Sequence, residues 1–239
     1  MSFKNPVSLV SNISNLISKK MFIGHFAVGL AAKKTAPQVS LGLLFFSAQF
    51  LDLLWPTLLL LGIESVELQP GNTTFTPLNF RSYPYSHSLL MVFGWAMLIG
   101  GLYFMLKKQS RGALLLALCV VSHWFLDLIM HRPDLPIIPG MEMKAGLGLW
   151  NSVPASLIVE LLLFAAGVYI YRITTTAKNK TGTYSFWALI LFLLIIHLSN
   201  AFGPPPPSVA AIAWAGQLQW LLVIWAFWVD RNRKLTNPL

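Results

Sequence analysis

Charge is what this chain has least of. Only 10% of its 239 residues are Asp, Glu, Lys or Arg, against about 25% in ordinary soluble domains, and only eight of them are acids. A single cysteine, Cys119, excludes an internal disulfide. No internal repeat is present, and no low-complexity tract beyond the four prolines at 204–207. The cations outnumber the acids, for a formal charge of +9. They sit in short clusters between apolar runs, where membrane topology signals lie, so no nucleic-acid partner is expected. Residues 1–20 are polar and amphipathic and do not read as a cleavable signal.

What the chain does have is apolar length. Hydrophobic residues make up 56% of it and aromatics 13%, more apolar surface than a soluble protein of this size can hide. Apolar runs cover 21–34, 39–63, 88–106, 111–130, 153–173, 184–203 and 209–229. At about 20 residues per crossing, they predict an all-α, polytopic transmembrane helix bundle of six or seven spans. Residues 21–239 read as one domain, with the core of any site in 21–165. Residues 1–20 place Val7, Val10, Ile13, Leu16 and Ile17 near one helical face, which suits an interfacial helix. If the short run 21–34 crosses, eleven of the seventeen cations share one side with the C-terminus. The positive-inside rule makes that side cytoplasmic. The expected location is a bacterial inner (plasma) membrane.

Acids and imidazoles inside spans are costly and mark functional sites by default. Here they are few: His25, Asp52, His87, His123, Asp127, His131 and Glu160. His123 and Asp127 lie four apart and therefore share one helix face. Counting helix rise from the cytoplasmic ends places Asp52, His87, His123, Asp127, His131 and Glu160 in the outer half of the membrane. His25 joins them only if 21–34 crosses. Imidazole with carboxylate is the ligand chemistry of zinc and similar divalent ions. The same residues equally suit a proton relay or a hydrogen-bonded network joining helices, and residue types alone do not choose between these.

Four strings carry a resemblance: Gly24-His25, Phe50-Leu51-Asp52-Leu53, Ser86-His87-Ser88-Leu89-Leu90 and Ser122-His123-Trp124-Phe125-Leu126-Asp127. Their order resembles the YdjM-like family of membrane-bound metal-dependent hydrolases. That pattern runs G-H, L-P-D-x-D, R-x-x-T-H-S and S-H-x-x-x-D, with a later Glu. It is also similar to the ligand order of the zinc-dependent phospholipase C and single-strand nuclease group. The resemblance implies metal ligands at His25, Asp52, His87, His123, Asp127 and Glu160. This chain departs from it at Leu54, where a second Asp would stand, at Ser86 in place of Thr, and at Tyr83 in place of Arg. One or two ions are therefore expected, zinc first, with manganese or magnesium as alternatives.

The implied activity is hydrolysis of a phosphoester of a membrane lipid or lipid-linked substrate, since zinc lowers the pKa of water it binds to about 7. Asp52, Glu160 and His131 are the candidate catalytic residues. Arg81, Ser86, Ser88, Arg132 and Lys144 are candidates for binding the anionic substrate. The competing expectation is a transporter or channel-like protein using the same His/Asp cluster for ions or protons. Broken helices would favour it.

Overall fold

The computed structural model describes residues 23–236, so the interfacial helix expected over 1–20 lies outside the described residues. The chain is predominantly helical. α1 (Ile23–Thr35), α2 (Leu41–Ala48) and α3 (Phe50–Leu60) lead into a hairpin of β1 (Ser65–Leu68) and β2 (Leu78–Ser82). A single turn, α4 (Pro84–His87), precedes the long pair α5 (Leu89–Lys107) and α6 (Ser110–Met130). After a connector holding β3 (Leu135–Pro136) and β4 (Lys144–Ala145) come α7 (Val153–Thr174), β5 (Thr175–Ala177) and α8 (Lys180–Phe202). α9 (Val209–Gln217), α10 (Gln219–Arg231) and β6 (Arg233–Leu235) end the described chain.

Among the described residues, five segments are long and apolar enough to cross a membrane: α5, α6, α7, α8 and the continuous pair α9–α10. The bent pair α2–α3 makes a sixth if it counts as one crossing. Their outward faces carry residues such as Met97 and Leu106, 72% and 79% exposed. Such a belt is unfavourable in water and expected against lipid. Hydroxyl and amide side chains start the helices. Ser40, Ser88, Ser152, Asn179 and Ser208 each accept a backbone N–H from the first turn of α2, α5, α7, α8 and α9. At the start of α7 the cap is Ser152, and Asn151 closes a short 3-10 turn before it.

Two features position the site. The first is α1, a 13-residue helix only about 20 Å long at 1.5 Å per residue. It is buried along most of its length, packed among α2, α6 and α7. Gly167 of α7 allows the closest approach, for a Cβ there would lie 2.5 Å from the Ala27 carbonyl oxygen. At its other end Lys33 is buried, pairing with Asp230 of α10 at 2.9 Å and donating to the Val39 carbonyl.

The second is a break in the run 39–63. α2 and α3 meet at 56° around Gln49 rather than at Pro56. The Ala48 carbonyl at the break accepts a hydrogen bond from His123 Nδ1 at 2.8 Å, and a side chain entering a helical ladder is a recognised cause of a sharp bend. Pro56, inside α3, cannot donate to the Asp52 carbonyl. Gln219 of α10 supplies a donor there at 3.3 Å.

Candidate metal centre

Five side chains from four separate stretches meet at one place. His25 comes from the first turn of α1 and Asp52 from the first turn of α3. His87 ends α4, while His123 and Asp127 lie in the last two turns of α6. Asp127 is central. Its Oδ1 lies 3.3 Å from His25 Nε2, and its Oδ2 lies 3.3 Å from His123 Nε2 and 3.7 Å from His87 Nε2. Asp52 Oδ1 closes the group at 3.8 Å from His87 Nε2 and 4.0 Å from His123 Nε2. The His25 and His123 rings stack in parallel, centroids 3.6 Å apart. His25–Asp52–His123 and His87–His123–Asp127 are each spaced to hold a metal ion.

These separations are compatible with a cation site. Charge-assisted N–H···O bonds run at about 2.7–2.9 Å, shorter than any of the five. Ligand atoms arranged tetrahedrally about zinc at about 2.1 Å stand about 3.4 Å apart, which is the scale found here. His123 Nε2 is buried without a hydrogen-bond partner although it faces both carboxylates. Its other nitrogen is committed to the Ala48 carbonyl. The donor set therefore fits a divalent ion. Because His123 has one uncommitted nitrogen and belongs to both groups, it can serve only one of them at a time.

Access is unequal. The side chains of His25, His87, His123 and Asp127 are at most 5% exposed, whereas that of Asp52 is 24% exposed. The cluster thus opens at Asp52.

The remaining sequence candidates lie elsewhere. Glu160 is fully buried, accepts the Ile23 backbone N–H at 3.2 Å and lies 3.6 Å from His197 Nδ1. It belongs to neither metal-spaced group. His131 donates from Nδ1 to Asp134 Oδ1 at 2.9 Å and packs against Trp150 and Phe80. Arg132 is held by Asp134 at 3.1 Å and by Asn79 at 2.6 Å. Arg81 pairs with Glu67 at 2.7 Å on the surface. Lys144 is exposed and has no acid within ion-pair distance among the described residues. The Ser88 hydroxyl caps α5, and that of Ser86 lies between Glu64 and His87.

Sequence reasoning missed Glu64. Glu64 is 3% exposed and accepts the backbone N–H groups of Tyr85 and Ser86. Asp134 gathers His131, Arg132 and the Tyr83 hydroxyl. These bonds, with Phe75 N–H and Thr74 Oγ1 both donating to the Trp150 carbonyl, fasten the β1–β2 hairpin to the connector 131–152. No family model matches the chain, and neither a curated protein nor a solved structure matches it.

Proposed function

We propose that this chain is an integral-membrane, metal-dependent hydrolase that cleaves a phosphoester of a lipid or lipid-linked substrate. One observation carries the reading: three imidazoles and two carboxylates gather in two overlapping groups, each spaced to hold a metal ion, and His123, common to both, is buried with its Nε2 3.3 Å from Asp127 Oδ2. The order of the four sequence strings and the apolar belt around the bundle support it. His87, His123 and Asp127 would hold one ion, with the His25 ring stacked on that of His123 beside them. Two imidazoles and a carboxylate favour zinc over magnesium, which takes oxygen ligands. Bound there, such an ion supplies Lewis acidity, polarising a phosphoryl oxygen and acidifying water. Asp52 lies at the mouth, where its carboxylate would be placed to accept a proton from attacking water. On the charge distribution the C-terminus is cytoplasmic and the cluster lies toward the outer face of a bacterial inner membrane.

The test is metal content and phosphate-ester hydrolysis of the purified protein on a lipid panel. The reading expects close to one equivalent of zinc, with metal and activity both lost in folded His123→Ala and Asp127→Ala. A folded wild-type protein that neither retains nor takes up a divalent ion sinks it. The break between α2 and α3 favours a second reading. Discontinuous helices flank ion sites in transporters, and Asp52 lies in the first turn after this one. Ion uptake into proteoliposomes without ester hydrolysis would select that reading.

A further inference from the structure

Glu64 does more than its place beside a surface hairpin suggests. Its Oε1 accepts the backbone N–H of Tyr85 at 2.8 Å and of Ser86 at 2.9 Å. Its Oε2 accepts the Ser86 hydroxyl at 2.6 Å. The Ser86 oxygen in turn stands 2.7 Å from His87 Nδ1. Glu64, Ser86 and His87 are all buried. A carboxylate accepting three donors has no proton to give, so the Ser86 hydroxyl hydrogen is committed to Glu64. The Ser86 oxygen can then only accept from His87, which places the imidazole proton on Nδ1. The Nε2 lone pair is left facing Asp52 and Asp127.

We propose that Glu64, acting through Ser86, is a positioning residue that holds His87 in the tautomer and orientation needed to ligate the ion. The inference rests on the metal-site reading above. A ligating imidazole generally donates its other N–H to an oxygen acceptor that fixes tautomer and ring angle. His123 has a backbone carbonyl for this, which substitution cannot remove. His87 has a side-chain relay, which substitution can. The competing explanation is that Glu64 merely caps α4 through the two backbone amides. Ser86→Ala separates the two, because it cuts the relay and leaves both amide bonds to Glu64.

The experiment titrates the full-length, detergent-solubilised protein with Co²⁺, reading affinity and visible ligand-field bands. Ser86→Ala and Glu64→Gln should bind about 10–100-fold more weakly, with altered bands. Ser86→Thr, which keeps the hydroxyl, should return both towards wild type. Wild-type affinity and spectrum in Ser86→Ala overturn the relay, leaving Glu64 as a cap. A loss that Ser86→Thr does not restore also overturns it, by marking a packing effect. If wild type takes up no Co²⁺ and matches His123→Ala, the metal-site reading itself has failed, and this inference with it.

Discussion

At Asp134 two effects pull the carboxyl in opposite directions. Burial pushes its pKa up, but hydrogen bonds and charge from His131 and Arg132 outweigh burial and hold it below the ordinary carboxylate value. A carboxyl with a lower pKa folded than unfolded stabilises the fold in its ionised form. That contribution is complete above the unfolded value, about pH 4, and is lost as the pH falls through the depressed folded value. Asp134→Asn should therefore flatten the acid limb of stability against pH, measured by thermal unfolding between neutral and strongly acid buffer. An unchanged slope would show that Asp134 does not fasten the connector. Tyr83 shifts the other way. Burial first, then the negative charge of Asp134, push its hydroxyl well above the usual phenol range, so it stays a donor to Asp134 through neutral pH. Neither role was legible residue by residue. Glu64 and Glu67 lie three apart in a polar stretch, yet one is buried under α4 and the other pairs with Arg81 at the surface.

Among elements, α1 is the decisive one. It is too short for an independent span, and hydropathy alone leaves open whether it crosses or lies flat. Its burial against α7 carries His25 to the cluster, and Gly167 permits that approach. Gly167→Leu should destabilise the protein by about 1–3 kcal/mol through overpacking. It should also weaken metal binding, although Gly167 touches no ligand. Unfolding midpoints and Co²⁺ titration on one preparation check both, and an affinity equal to wild type would mean that this crossing does not place His25. The break at Gln49 works similarly. It takes a run that reads as one long helix and turns it by 56°, with Asp52 in the turn that follows. Pro56 marked the segment as irregular in the sequence but not the site of the bend. The bend falls where His123 takes the Ala48 carbonyl.

At the scale of the molecule, the two ends of the bundle are closed differently. One is covered by the hairpin and the connector 131–152. The other is tied by β5–β6 and by Arg233, whose guanidinium lies over the rings of Tyr171 and Phe186. Near that second end buried Lys33 pairs with half-buried Asp230 and so joins α1 to α10 across most of the chain length. Removing one partner of a buried pair strands the other charge, at about 3–5 kcal/mol. Asp230→Ala should lower stability by that amount in a denaturant or thermal titration. A loss below about 1 kcal/mol would place the pair with surface ion pairs. The His/Asp cluster depends on the same architecture, since its side chains come from four stretches of chain and meet only when the helices pack.

By itself the sequence determined the class of molecule and the short roll of groups able to do chemistry in it. Helix length, apolar periodicity and scarce charge are properties of contiguous residues, so they specify a bundle with membrane-length helices and few buried acids and imidazoles. Only the tertiary structure decided which of those groups meet. It drew His25, Asp52, His87, His123 and Asp127 together, took His131 to Asp134 and Glu160 to the start of α1, and put Glu64 behind His87. The reason is physical. Distances between ligand atoms are set by helix crossings, a glycine contact and a bend in one helix, all of which depend on residues far apart in the chain.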